Sequence, residues 1–307
     1  MMDETIFQPG PAADCGPARD GGPAGDAGGG ARLINRRLVL AGAGASLATA
    51  LPAPATAARA RRVERLDRFL SAQWRAGGMV GMAVGVARGG RILFQRGYGH
   101  ADRAQRRPFT PNTVFHIASI TKTITAAAAM QLVQAGQLQL DAPINRYLDF
   151  AVVNPAHPNS AITARHLLMH LSSLSDQTYY AVDFRTIGVD SRQPLADFLR
   201  AYLVPGGAHY SAQGSFAPSA PSAAWDYSNV GYALLGHVVE RITGEDLRTL
   251  TQRRIFAPLS ARHIAWSVAA LPPQLAATPY DVVDGHPAAI APLGSPDYPG
   301  SMVRASL

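Results

Sequence analysis

The sequence predicts an α/β fold of the α+β type, in which an antiparallel hairpin is combined with several helices. Apolar residues recur at helical spacing from Val63 to Trp74. Residues 82–94 then alternate on both sides of Gly89-Gly90, the pattern of two strands joined by a two-residue turn. Further helical patterns cover residues 119–134, 230–242 and 246–255.

Glycines mark where these elements end. Gly77-Gly78 stops the first helix, Gly136 is expected to cap the helix that begins near Ser119, and Gly244 ends the helix from residue 230. A loop rich in Gly, Pro, Ser and Ala spans residues 205–224. The 307 residues fit one large or two small domains and give ample length for a core.

The chain is basic, with a formal net charge of +7 and a pI of about 9.9. The basic residues form no run longer than two, and aromatic residues do not interleave with them. A nucleic-acid-binding surface would show such a pattern. We therefore attribute the charge to scattered arginine and expect no nucleic-acid partner.

The amino-terminal part is predicted to be an extension followed by an export signal. Residues 1–34 are rich in glycine and proline, which predicts disorder. Residues 35–57 contain Arg36-Arg37, a short apolar run and an Ala-x-Ala site ending at Ala57, and resemble a twin-arginine signal peptide. We expect an exported, periplasmic or secreted protein with no stable membrane span after cleavage. Cleavage would also remove Cys15, the single cysteine, so no disulfide is expected.

Lys122 is the one lysine among 28 basic residues. Arginine stays protonated in proteins, whereas a desolvated lysine can act as a base. Ser119 lies three residues earlier, so a helix would place hydroxyl and amine on one face. Ser-x-x-Lys is a known spacing of nucleophile and base. The alternative is a serine N-cap followed by an ordinary surface lysine.

A second motif, Tyr227-Ser228-Asn229, follows the long loop and precedes a helix. Tyr227 and Asn229 would point to the same side of an extended segment. A phenol near an amine can relay a proton, and an Asn amide can orient a carbonyl. The alternative is a turn with Asn229 as a helix N-cap.

These motifs resemble the first two motifs of the serine β-lactamase and penicillin-binding-protein superfamily, on the class C β-lactamase, DD-peptidase and esterase branch. The order of the surrounding segments agrees with that family. The similar segments are residues 113–123, 136–143, 162–170, 227–236 and 255–259.

The resemblance implies that Ser119 attacks a carbonyl to form an acyl-enzyme, with Lys122 and Tyr227 acting as base and acid and Asn229 binding the substrate amide. It implies a helix-flanked antiparallel sheet and a mostly helical domain, with residues 58–105 forming the first helix and strands and residues 110–265 the helical domain. No cofactor and no metal are implied. The substrate would be a β-lactam, a D-alanyl cell-wall peptide, an ester or an amide, and the sequence does not choose among them.

The chain departs from the family pattern at three places. Ser173 and Ser260 stand where glycine is usual. The third motif, Lys or His followed by Ser or Thr and Gly, is absent, and residues 286–288 (His-Pro-Ala) do not match it. We expect the domain 58–307 to be carboxy-truncated, without the late sheet strands. Loss of an oxyanion donor typically costs about a hundred- to a thousandfold in rate, so weak or absent activity is expected of this chain.

Two other functions fit parts of the sequence. A non-catalytic relative could bind peptidoglycan peptides or a protein, although such a module needs no lone lysine at position 122. A metallohydrolase could use His166 and His170, which are four residues apart. However, Leu167 occupies the place of the glutamate in the zinc-protease motif, so no metal site is expected.

Overall fold

The structure is a computed structural model that describes residues 54–307. The predicted extension at residues 1–34, and the predicted signal segment as far as residue 53, lie outside the described residues. The first helix, α1, runs from Pro54 to Ala76 and so begins before the predicted cleavage point after Ala57.

The predicted hairpin is confirmed. Strands β1 (Gly81–Arg88) and β2 (Arg91–Asp102) pair antiparallel, and both glycines of the turn have positive φ, at 56° and 72°. A short strand β3 (Arg107–Pro108) adds to the other edge of β2. The sheet holds α1 through Asp67, whose carboxylate accepts hydrogen bonds from Arg96 at 2.6 Å and Tyr98 at 2.8 Å.

Most of the core lies among helices. These are α2 (Thr121–Gln134), α3 (Ala164–Leu168), α4 (Gln177–Ala181), α5 (Leu195–Leu203), α6 (Asn229–Thr243), α7 (Leu247–Thr251) and α8 (Tyr298–Ser301). Helix α6 is central, because every residue from Asn229 to Val239 is buried. A helix that is buried on all sides packs on several neighbours. Among residues 54–307, none of the helices combines the length and apolarity needed to cross a bilayer.

Short strands tie the carboxy-terminal region to the rest. Strand β10 (Arg304–Ala305) lies between β4 (Phe115–His116) and β6 (Ile264–Ala265), antiparallel to both. Two separate pairs are formed by β5 (Thr186–Ile187) with β9 (Leu293–Gly294) and by β7 (Tyr280–Val283) with β8 (His286–Ala289). Strand β10 thereby brings residues 298–304 against the segment that leads to Ser119.

The predicted helices agree with the structure at their ends but differ from it in how two of them are built. Gly136 and Gly244 follow the ends of α2 and α6 with φ of 70° and 67°, as predicted. The predicted helix at 119–134 begins as a 3₁₀ turn, Ala118–Ile120. The predicted helix at 246–255 is divided into α7 and a π-helical turn, Gln252–Phe256.

The two serines that replace expected glycines keep the glycine conformation. Ser173 has φ of 59° and Ser260 has φ of 54°. Left-handed backbone is costly for residues with a Cβ atom. The turns are therefore retained in this chain, at some cost in conformational energy.

Candidate active site

Ser119 lies at the surface on the 3₁₀ turn that leads into α2. The preceding residue, Ala118, has φ of 46°, an unfavourable conformation of the kind found at functional sites. The turn is anchored to the carboxy-terminal region, because Thr121 Oγ1 accepts a hydrogen bond from the Val303 N–H at 3.0 Å. The amino-terminal end of a helix carries the positive end of its dipole, which favours negative charge. The Ser119 hydroxyl lies at this end of α2.

The side chain of Lys122 is buried, with 6% of the residue exposed. Its Nζ donates to Ser119 Oγ at 3.3 Å, to Asn229 Oδ1 at 2.7 Å and to the Gly300 carbonyl at 2.9 Å. Nζ also lies 4.8 Å from the centre of the Tyr227 ring, within the range of a cation–π contact. All three N–H bonds of an ammonium group thus have an acceptor.

Tyr227 completes the contacts of the Ser119 hydroxyl. Its Oη donates to Ser119 Oγ at 2.6 Å. The ring stacks on His170, with centroids 4.4 Å apart and an interplanar angle of 30°, while Trp225 packs beside both rings. Tyr227 is therefore held from behind by an aromatic neighbour that lies outside the predicted motifs.

His170 is held in its neutral form. Its Nδ1 accepts a hydrogen bond from the Ser228 N–H at 3.1 Å, which places the ring proton on Nε2. Burial, with a further contribution from the positive charge of Lys122, lowers the pKa of His170 to about 4.

Asn229 is the first residue of α6, and Ser228 is the N-cap, with its Oγ accepting from the Gly231 N–H at 2.9 Å. The alternative of Asn229 as N-cap is therefore wrong by one residue. Asn229 is only 8% exposed, and its Nδ2 donates to Tyr180 Oη at 3.2 Å. The amide oxygen of Asn229 therefore accepts from Lys122, and its amide nitrogen donates to Tyr180.

The family model described as Beta-lactamase matches residues 66–307. The chain belongs to the Beta-lactamase family. Esterase EstB of Burkholderia gladioli is 35% identical over 234 residues, which cover 73% of this chain and 55% of EstB. Penicillin-binding protein 4* of Bacillus subtilis (strain 168) is 30% identical over 174 residues, covering 56% of this chain and 35% of that protein. The chain thus spans about half the length of these curated relatives, or less.

Solved structures confirm the β-lactamase/transpeptidase-like fold. A penicillin-binding protein homologue from Pyrococcus abyssi superposes with a TM-score of 0.60 at 22% identity, over 80% of this chain and 53% of that one. EstCE1, described as a hydrolase with promiscuous acyltransferase activity, gives a TM-score of 0.64 at 22% identity, over 82% and 70% of the two chains. The family resemblance of the sequence is likewise confirmed.

Within this family fold, the carboxy-terminal segment forms one wall of the site. The Gly300 carbonyl accepts from Lys122, and the Pro299 carbonyl accepts from Thr125 Oγ1 at 2.7 Å. Asp297, which is completely buried, accepts hydrogen bonds from Ser295 Oγ and from Tyr179 Oη. Burial raises the pKa of this carboxyl group. The sequence motifs did not indicate these residues. Any residue can supply a backbone carbonyl, so nothing in the sequence around Gly300 shows that its carbonyl faces the site.

Asp176 is a second residue that sequence reasoning missed. Its carboxylate accepts hydrogen bonds from Ser228 Oγ and from the N–H groups of Asn229 and Val230. The one available signal was the acidic residue itself, a few positions after His170. An aspartate in a sequence does not predict a buried carboxylate unless its hydrogen-bond partners are known.

The two histidines of the metallohydrolase alternative have separate partners. His166 Nε2 is paired with Ser222 Oγ at 2.7 Å, whereas His170 contacts Ser228 and Tyr227. Among residues 54–307, no group of three or more His, Cys, Asp or Glu side chains is arranged to hold a metal ion. Within the described part of the chain, strand β8, with Pro287, pairs with β7 alone, an arrangement that tolerates proline better than a central strand does.

Proposed function

We propose that this protein is a serine acyl hydrolase in which Ser119 forms a covalent acyl-enzyme. The observation that carries the proposal is the position of Ser119 Oγ, 2.6 Å from Tyr227 Oη and 3.3 Å from Lys122 Nζ. A nucleophile within hydrogen-bonding reach of a proton acceptor and a neighbouring cation is the arrangement that covalent catalysis needs.

Tyr227 is the better candidate for the proton acceptor, because the three N–H bonds of a Lys122 ammonium group already have acceptors. In this scheme Tyr227 reacts as a phenolate whose negative charge is stabilised by the Lys122 ammonium group. Ser119 Oγ forms a bond to the carbonyl carbon, the carbonyl double bond opens to an oxyanion, and the proton of Ser119 passes to the Tyr227 oxygen. Tyr227 then returns the proton to the leaving group as the bond to carbon breaks. Water enters as the second nucleophile, and Ser119 recovers its proton when the acid is released.

We propose an ester as the substrate to be examined first. EstB is an esterase by name and matches 73% of the chain at 35% identity. Ser119 is exposed, and two exposed aromatic side chains, Trp225 and Tyr180, stand near Tyr227 and Asn229. An open, partly apolar surface around the nucleophile suits a small acyl ester. β-Lactams, D-alanyl peptides and amides belong to the same reaction class and form the other arms of the experiment.

The test is covalent labelling of the purified protein with a fluorophosphonate probe, followed by peptide mass spectrometry. We expect the adduct on Ser119, none in Ser119→Ala, and a rate lower by about a hundred- to ten-thousandfold in Tyr227→Phe. Turnover of p-nitrophenyl butyrate, nitrocefin and a D-alanyl-D-alanine peptide would then define the substrate. Reversible binding of a cell-wall peptide with no adduct at Ser119 would contradict the proposal and favour a non-catalytic relative.

A further inference from the structure

Asp176 is a buried carboxylate at the amino-terminal end of α6. It is 4% exposed. Its Oδ2 accepts from the Asn229 N–H at 2.6 Å, and its Oδ1 accepts from Ser228 Oγ at 2.9 Å and from the Val230 N–H at 3.2 Å. A negative charge at a helix amino terminus is favourable, and hydrogen bonds to a carboxylate are stronger than those to a neutral acceptor. Asp176 therefore holds three consecutive residues, Ser228 to Val230, of which the first two belong to the second motif.

The same short segment also holds the side chain of Asn229. Tyr180, four residues after Asp176, accepts from Asn229 Nδ2 at 3.2 Å. Because Nδ2 is fixed in this way, Oδ1 is the atom presented to Lys122, which it meets at 2.7 Å. Both the backbone and the amide orientation of Asn229 are thus set by residues 176–180.

A second connection leads from this segment to another acceptor of Lys122. Tyr179 Oη donates to Asp297 Oδ2 at 3.1 Å, and the Asp297 carbonyl accepts from the Gly300 N–H at 2.8 Å. The Gly300 carbonyl in turn accepts from Lys122. Residues 176–180 therefore support two of the three acceptors that surround the lysine.

We propose that Asp176 is a positioning residue for the Ser119 site, fixing the first turn of α6 and, through Asn229, the place of the Lys122 ammonium group. This inference depends on the proposed acyl-enzyme function. Asp176 itself touches none of the reacting atoms. Its loss would leave the N–H groups of Asn229 and Val230 without their charged acceptor, so that Asn229 would no longer hold Lys122 against Ser119.

The test compares acylation kinetics in the full chain. In Asp176→Asn, the first-order constant for acylation of Ser119 at saturating fluorophosphonate should fall by about ten- to a hundredfold, the loss expected for hydrogen bonds to a charged group. The half-saturating probe concentration should change by less than about threefold, since ground-state binding is not involved. A variant in which the concentration changes and the first-order constant does not would overturn the proposal.

Val239→Ala is the matched control. Val239 is fully buried on α6 but far along the helix from its first turn. This variant should lower the melting temperature and leave the acylation constant of the folded protein unchanged. Equal slowing in Val239→Ala and Asp176→Asn would show that Asp176 matters only for stability, and the positioning role would be rejected.

Tyr180→Phe keeps the inference testable if Asp176→Asn does not fold. Tyr180 is 71% exposed, so removal of its hydroxyl should not disturb the core. It should slow acylation in the same direction by a smaller factor, and an unchanged constant in this variant would overturn the inference. A wild-type protein that is never acylated would instead refute the proposed function, so the two failures are distinguishable.

Discussion

The imidazole of His170 supports Tyr227 by stacking on its ring and supports Ser228 by accepting its N–H. The hydrogen bond from Ser228 needs the neutral ring, because a protonated Nδ1 cannot accept a hydrogen bond. Protonation would also place a second positive charge near Lys122, which contributes to the lowered pKa of His170.

The lowered pKa predicts a dependence of stability on pH. His170 has a pKa near 6.5 when unfolded and about 4 when folded, so between these values the unfolded state binds more protons. The contribution of His170 to the free energy of unfolding is complete above pH 6.5 and is lost as the pH falls towards 4.

Chemical denaturation at pH 7.5 and pH 5.0 would measure this contribution. We expect His170→Asn to lose part of the stability difference between the two pH values, since asparagine tolerates the positive φ of 57° but does not titrate. His157→Asn is the control, because the His157 ring contacts the Pro218 carbonyl and lies outside the site. This variant should keep the wild-type difference in the free energy of unfolding between the two pH values. An unchanged difference in His170→Asn would contradict the assignment.

At the scale of secondary-structure elements, the contact of α6 with α8 sets the positions of the Pro299 and Gly300 carbonyls, which face the site. Gly236 is on the face of α6 that meets Pro299, and a Cβ atom at position 236 would be 2.5 Å from the Pro299 ring. That distance is too short for any side chain. Close approach of the two helices therefore depends on this glycine, as do the positions of the Pro299 and Gly300 carbonyls.

Gly236→Ala should therefore damage the site as well as the fold. We expect the free energy of unfolding to fall by about 1–3 kcal/mol, the usual cost of overpacking, together with slower acylation of Ser119. Gly285→Ala is a suitable control, because it strains the β7–β8 turn at φ of 76° but would meet no atom within 4 Å. Thermal melts and probe labelling of both variants would separate the effects, and wild-type labelling by Gly236→Ala would argue against this role for the α6–α8 contact.

The elements also show what the sequence can and cannot predict. The hairpin turn and the Ser119–Lys122 pair depend on neighbours within a few residues. Spacing predicted the turn, whereas it left the pair open to the alternative of a serine N-cap with a surface lysine until the family resemblance was considered. The partners of Lys122 and Asn229 are instead distant in the sequence. Gly300 is 178 residues from Lys122, and Asp176 is 53 residues from Asn229. Such contacts are created by the packing of α6 between α2 and α8, which no local pattern encodes.

At the scale of the whole molecule, we propose that residues 35–57 direct export of the protein. In a bacterial host, a full chain with Arg36→Lys and Arg37→Lys should remain unprocessed inside the cell, whereas the wild-type product should begin at Ala58. Arg61→Lys with Arg62→Lys, beyond the cleavage point, is the control and should be exported normally. Amino-terminal sequencing of both cell fractions checks this, and an exported wild-type product that still begins at residue 1 would contradict it.

The participation of Gly300 and strand β10 in the site has a consequence for the order of events during synthesis. Ser119 leaves the ribosome 181 residues before Gly300 does. At about 5–20 residues per second, this separates the two by about 10–35 s. Throughout that interval Lys122 lacks one of its acceptors and β4 lacks its partner strand. The proposed nucleophile is therefore made early and acquires its complete surroundings late, so a nascent chain should not react with the acyl probe until residues 295–305 have folded onto α2 and α6.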